Sequence, residues 1–286
     1  MSMSINVSAY VPGDSPVHRC DPRVKIVLLI VYSVVLFVVK SWVALGLCAL
    51  IFLAIALASR VPMRRYVQLA PVYVLVAFTV LFNSFAFDVS QAATSGSYSS
   101  LGNVSAGLLE GAAPIALIGS FGFLPAGFAR GCFYAIRILL LVMASLVLTY
   151  TSTSTDLTDA FTSFLRPLRP LHVPVDDIAM VLSIALRFIP VTAAEFGRIH
   201  DAQWARGASF DEGSLWRRIS AWATIFIPLF VNLFRRADSL AVAMDARCYG
   251  APDVVRTSLK ARRMSAGAWA TMLVGVAVLV AIAALL

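Results

Sequence analysis

The residues best suited to directional chemistry are two arginines in matching surroundings. Arg206 lies in "AQWARGASF" (202–210) and Arg247 in "AMDARCYG" (243–250). Each follows Ala-x-x-Ala, and each is followed by a small residue. A guanidinium is a planar fork of donors that stays charged at every working pH. It pairs with carboxylates or carbonyls through two parallel bonds. Ala205 and Gly207 around the first arginine, and Ala246 and Cys248 around the second, are small enough for a helix end to enter a groove. Gly207 can also take the left-handed conformation that closes a helix. A simpler role is open as well, in which each arginine complements the negative end of its own helix dipole. Reaction chemistry has no comparable pattern. The chain contains no H-E-x-x-H, no G-x-S-x-G, no P-loop and no pair of carboxylates within its apolar runs. The four cysteines (Cys20, Cys48, Cys132, Cys248) form no C-x-x-C and no Cys/His spacing of a metal site. No catalytic, cofactor or metal residues are expected.

The elements that must carry these arginines belong to a membrane protein. Of 286 residues, 60% are hydrophobic and 13% charged, and the mean hydropathy is +0.85. Soluble domains are typically about half apolar and about a quarter charged. Apolar runs at 26–39, 41–58, 66–87, 128–150 and 266–286 predict five spans, with Lys25 and Lys40 reaching out from the ends of the first. The first run starts late, after Asp14 and Asp21, and lacks a small-x-small cleavage site. It is expected to be a retained span, not a signal peptide.

Orientation follows the Lys and Arg bias. Arg19, Arg23 and Lys25 precede the first span, Arg60, Arg64 and Arg65 follow the second, and 14 of the 23 Lys+Arg lie in 151–265. The stretch 88–127 has none. The pattern predicts a cytoplasmic N-terminus and an extracellular C-terminus in a multi-pass cell-membrane protein. The net charge of +8 is therefore a topology signal and not a nucleic-acid footprint. Residues 111–129 are also uncharged, and counting them as a span would place the cationic segment outside. With Pro114, Pro125 and several glycines, they are expected instead to form a structured outer loop.

The segment 151–265 is too apolar for a soluble loop and too charged for ordinary spans. "TSTSTDL" predicts an N-cap with Asp156 in the first turn of a short helix to about Leu165. "RPLRPLHVP" breaks the chain at Pro167, Pro170 and Pro174. Two long helices follow, from Asp176 to Arg206 and from about Ser214 to Arg247. They form a degenerate repeat, each with "FIP" (188–190 and 226–228), apolar before and polar after. Pro190 and Pro228 each permit a kink. Such helices could lie along the inner leaflet or cross it as a pair. Arg187, on the apolar part of the first, is expected to be buried and to need a carbonyl or carboxylate partner. Arg137, in the fourth span, is either a functional intramembrane charge or a packing anchor near a span end. His18, His172 and His200 are expected to face solvent.

The expected fold is thus all-α and polytopic: a four-span domain over 1–150, a coupling domain of one short and two long helices over 151–265, and a C-terminal span over 266–286. From Arg137 onward the sequence resembles the transmembrane T component of energy-coupling factor (ECF) transporters. The matching stretches are "RILLLVMASLVLTYTSTSTDLTDAF", "LRPLRPLHVPVDDIAMVLSIALRFIP", "AQWARG" and "LAVAMDARCYG". The N-terminal "HRCDPRVKI" is similar to that family's approach to its first span. The resemblance implies a scaffold without catalytic activity or cofactor, embedded in the lipid bilayer. It implies that Ala205, Arg206, Gly207, Ala246, Arg247 and Cys248 dock into two cytosolic ABC-type ATPases. It further implies that the coupling helices hold a small membrane-embedded S component that binds a vitamin or a transition-metal ion. Arg187, Pro190 and Pro228 would be structural or coupling residues. Cys248 departs from the family's glycine, which puts the geometry of the second tip in question, and Gly250 is the alternative helix stop. A stand-alone secondary transporter, the competing class, would be expected to carry ionisable groups or broken helices near the midplane. Apart from Arg137 and Arg187 the expected spans are clean. An intramembrane enzyme lacks its motifs.

Overall fold

The computed structural model describes residues 13–59, 70–86, 115–118, 121–171, 174–208, 210, 214–251 and 264–285. The chain divides into two compact units, one running to Ala160 and resuming at Met264, the other running from Phe161 to Arg263. The division falls inside a helix.

In the first unit, α1 (Pro16–Arg19) and α2 (Pro22–Val38) start on caps. Ser15 accepts from the His18 amide, and Asp21 accepts from the Arg23 amide at 3.0 Å with Pro22 in the first helical position. Asp-Pro is a helix start by chemistry: a carboxylate satisfies a free amide, and proline has no amide to lose. The first span therefore begins four residues before its apolar run. The spans continue as α3 (Trp42–Ser59), α4 (Ala70–Ser84), α5 (Pro125–Thr151) and, at the far end of the chain, α9 (Ala266–Leu285). Each of the five predicted spans contains a helix; the third is helical over Ala70–Ser84 and gives way to strand at Phe85–Ala86, its other residues lying outside the described ones. Among the described residues four helices are long and apolar enough to cross a bilayer: α3, α5, α9 and the helix Val175–Ala205 of the other unit; α2 has 17 residues and α4 has 15. The molecule is an all-α polytopic membrane protein with one small sheet.

That sheet answers the question of 111–129. Its described part is no span. Strands β1 (Phe85–Ala86), β2 (Ile115–Ile118) and β3 (Phe121–Phe123) pair antiparallel in the order β1-β3-β2, and Pro125 then opens α5. Phe85 meets Phe123 edge to face across the β1–β3 pair, with ring centroids 5.8 Å apart.

Small residues and one buried cation close the helix bundle. A Cβ at Gly127 would overlap the Asn83 carbonyl, and one at Gly131 would sit 3.1 Å from the Val80 Cα. "GFARG" is a G-x-x-x-G face that brings α5 onto the α4 backbone, the approach that substitutes for a hydrophobic driving force inside lipid. Tyr32, Leu36, Leu45, Cys48, Phe133, Leu140 and Leu279 form the core of α2, α3, α5 and α9. The Tyr32 hydroxyl donates to the Cys48 carbonyl at 3.2 Å. Arg137 is buried there and donates to the Val39 carbonyl at the C-cap of α2. Its guanidinium lies over Phe133 (4.9 Å), Tyr134 (5.6 Å) and Phe37 (5.9 Å). A cation at a helix C-terminus is favoured by the dipole. Arg137 is thus a packing anchor. Ile30, Phe37, Leu53, Leu57, Phe78, Phe82 and Leu273 are exposed on the outside of these helices, the inverted surface of a protein whose solvent is lipid.

The α6 helix (Ser154–Leu165) starts in this first unit and ends in the second. A 3-10 segment (Arg166–Leu171) carries Pro167 and Pro170, and Pro174 precedes α7 (Val175–Ala205). Then comes α8 (Leu215–Asp245), with Ser214 as its N-cap residue. Both α7 and α8 remain continuous helix through Pro190 and Pro228, over 31 residues each.

Candidate docking site: two arginine helix ends

The α7 and α8 helices are antiparallel neighbours. Near their middle, Asn232 on α8 donates to Glu195 on α7 at 3.2 Å, and Arg236 of α8 lies 3.9 Å from the same carboxylate. Arg198 completes the cluster at 2.9 Å from Glu195. Toward the C-terminal end of α7, Phe196 stacks on Trp222, which lies near the start of α8. At the other end Met180 of α7 lines a cavity together with Met244, Arg247 and Tyr249. The two arginines therefore stand at opposite ends of one helix pair. Each helix is about 45 Å long at 1.5 Å per residue.

The first end is built by Gln203 to Ala208. Ala205 is the last helical residue and Arg206 the C-cap, and Gly207 takes φ +87°. The Gly207 amide donates to the Trp204 carbonyl at 2.9 Å and the Ala208 amide to the Gln203 carbonyl at 3.0 Å. These two bonds are the Schellman closure of a helix, and glycine is its usual left-handed residue. The second end repeats the pattern forty-one positions on. The Cys248 amide donates to the Asp245 carbonyl at 2.9 Å, and the Tyr249 amide to the Met244 carbonyl at 3.0 Å. Cys248 takes φ +57°, the only positive φ of a non-glycine among the described residues. The helix stop is thus Cys248 itself, and Gly250, at φ +89°, follows in the turn beyond. A left-handed L-residue costs about 1–2 kcal/mol, so the closure at this end is made against a conformational preference.

Ala205, Arg206 and Gly207 are exposed, as are Ala246, Arg247 and Cys248. Neither arginine is tied down by a carboxylate among the described residues, so both forks are open to a partner. The surroundings of the two ends differ. Beyond Gly207 the chain turns back and buries Phe210, whose ring stacks on His200 (centroids 5.0 Å apart) and tilts against Trp222 (5.6 Å). His200 also lies 3.2 Å from Asp201 and stacks on Phe196. The second end instead borders the open cavity of about 310 Å³.

Three expectations are corrected by these placements. Arg187 is exposed on α7, not buried, so it needs no partner within the chain. The helix-end carbonyl expected for it belongs to Arg137. His200 is packed between aromatic rings and is not simply solvent-facing. His18 is held by Ser15, with 2.7 Å between Oγ and Nδ1, while His172 lies outside the described residues. Sequence reasoning passed over Phe210, Glu195 and the Gly127/Gly131 face. A lone phenylalanine in a polar turn and a G-x-x-x-G were the available signals.

Spans with lipid-type surfaces and a long antiparallel pair with exposed arginine ends define a polytopic helical membrane protein. Comparison with known proteins narrows the class. The CbiQ family, described as cobalt transport protein, matches residues 13–258. The chain is similar to the energy-coupling factor transporter transmembrane protein EcfT of Thermosediminibacter oceani, 33% identical over 262 residues that cover 91% of this chain and 90% of the relative. It is 35% identical to EcfT of Ruminiclostridium cellulolyticum over 269 residues (93% and 91%). With EcfT of Bacillus subtilis the identity is 33% over 251 residues (87% and 86%). The chain belongs to the CbiQ family and is a transmembrane component of an energy-coupling factor transporter.

Proposed function

We propose that this chain is the non-catalytic scaffold of an ATP-driven importer, in which Arg206 and Arg247 dock two cytosolic ABC-type ATPase subunits. The spans (1–150 and 266–286) anchor it in the cell membrane, with the N-terminus cytoplasmic and the C-terminus extracellular. The coupling domain (151–265) passes nucleotide-driven movement to a small membrane-embedded S component that binds a vitamin or a transition-metal ion. One observation carries this reading: two exposed guanidinium ends share one backbone closure, at opposite ends of one helix pair. A pair of equivalent knobs suits a pair of equivalent sockets. Each socket must offer a carboxylate or a row of carbonyls, because only acceptors match a fork of donors. The cationic content of 151–265 suits the cytoplasmic side. With no P-loop in the chain, hydrolysis falls to the partners.

The test is affinity purification of the full chain co-expressed with its ATPase subunits in membranes. Arg206→Ala combined with Arg247→Ala should abolish recovery of the ATPases while the chain itself still inserts and purifies as a monodisperse species. Normal recovery and normal ATP-driven uptake by the double variant would end the docking proposal.

A further inference from the structure

We infer that Lys25 is a positioning residue for coupling: its ammonium, clamped on the C-terminal end of α5, fixes the direction in which α6 leaves the membrane unit. The inference rests on the scaffold reading above.

The joint between α5 and α6 is two residues long, and each side of it is locked by a side chain. On the α5 side, Lys25 reaches from the first turn of α2 across more than a hundred positions of sequence. Its Nζ donates to the Thr151 carbonyl at 2.9 Å, to Ser152 Oγ at 3.2 Å and to Thr151 Oγ1 at 3.5 Å. An ammonium has three donors, and here each meets an acceptor. Thr151 Oγ1 in turn donates to the Val147 carbonyl at 2.7 Å. Thr151 and Ser152 are buried, and Ser152 is extended (φ −131°, ψ +136°), so helix α5 ends there and not by fraying. On the α6 side, Thr153 accepts from the Asp156 amide at 3.1 Å and donates to the Asp156 carboxylate at 2.6 Å. Ala160, nearly two turns into α6, is buried.

From Phe161 onward the chain belongs to the unit that carries both arginine ends. Covalently, force from those ends enters the spans through α6 and through the segment before α9. A joint that bent freely at Ser152 would absorb movement and deliver none. The charge on Lys25 makes the clamp strong for a second reason: the exposed carbonyls ending α5 carry the negative pole of a 27-residue helix. Lysine suits this geometry because a compact point charge can serve three acceptors converging from different directions, whereas the arginine fork is planar.

The test measures the joint directly, in the full chain in nanodiscs with and without the ATPase subunits. Spin labels go on p-acetylphenylalanine placed at Leu57 of α3 and at Asp159 of α6, so that the native cysteines, Cys248 of the second tip among them, stay in place. Lys25 is compared with Lys25→Met, which keeps the stem and loses the donors, and with Lys25→Arg. We expect one narrow distance population in the parent and loss of that population in Lys25→Met. Lys25→Arg should restore it in part. ATPase recovery and ATP hydrolysis should be unchanged in all three. A distance population in Lys25→Met as narrow as in the parent overturns the inference, and so does a Lys25→Met chain that loses ATPase recovery together with the distance. Failure of the parent itself to bind ATPases would strike the scaffold reading instead, and would leave the joint measured in the isolated chain to stand or fall by itself.

Discussion

Arg206 and Arg247 end their helices with the same pair of backbone hydrogen bonds, yet one closure uses glycine and the other cysteine. The comparison separates what the closure needs from what makes it cheap. It needs a positive φ one residue after the arginine. Glycine supplies that at no steric cost, and Cys248 supplies it against its own preference. The surroundings run the other way. The glycine end has the buried Phe210 ring against His200 and Trp222, while the cysteine end borders a cavity lined by Met180 and Met244. The first tip is conformationally cheap and externally braced. The second carries its positive φ on a non-glycine beside that cavity.

The largest effect that bears on this comparison concerns the arginines singly. If the two ends are equivalent knobs, Arg206→Ala and Arg247→Ala should each weaken ATPase recovery by about tenfold to a hundredfold, the range for losing a charge-assisted bond of 1.5–3 kcal/mol. Titrating ATPase subunits against each variant in nanodiscs would check this. A large loss for one and none for the other would break the equivalence. Next comes the brace. Phe210→Ala removes a buried ring and should cost the first end about 3 kcal/mol. Hydrogen exchange should then speed up at the Gly207 and Ala208 amides and stay unchanged at Cys248 and Tyr249. Equal acceleration at both ends would mean that the brace is not local. The smallest effect concerns φ. Gly207→Val should loosen the first closure by about 1–2 kcal/mol. Cys248→Gly gains a similar term but loses roughly 0.5–1 kcal/mol to unfolded-chain entropy, so its net gain should lie between about 0 and 1.5 kcal/mol. Exchange at the Ala208 and Tyr249 amides reads both. A marked gain in protection at Tyr249 would show that Cys248 carries more strain than its φ implies.

Much of this architecture was legible because its signals are local. Ala-x-x-Ala-Arg, the TSTSTDL cap with Asp156 in the first turn, and the proline cluster between Leu165 and Asp176 each act within a turn or two of chain. The limits of α7 and α8 accordingly fall within two residues of expectation. The short strands around 115–123 were harder. Four or three apolar residues beside glycines carry no period, and the partner of β3 in β1 is nearly forty positions away. The arginine in the apolar part of α7 misled because an apolar neighbourhood in sequence does not mean burial. About half of the residues of α7 are exposed, Arg187 among them, so a cation there has access to the surroundings.

By itself the sequence determined the membrane character, the positions of five apolar helices and the paired arginine ends, since hydropathy, helical period and capping are properties of contiguous residues. Only the tertiary structure decided that Arg137 caps α2, that Lys25 clamps the end of α5, that Gly127 and Gly131 face the α4 backbone and that Cys248 adopts glycine's conformation. Each of these depends on where a distant carbonyl, ring or backbone comes to rest. A side chain's type limits the partners it can take, and only the packed fold determines which of them arrives.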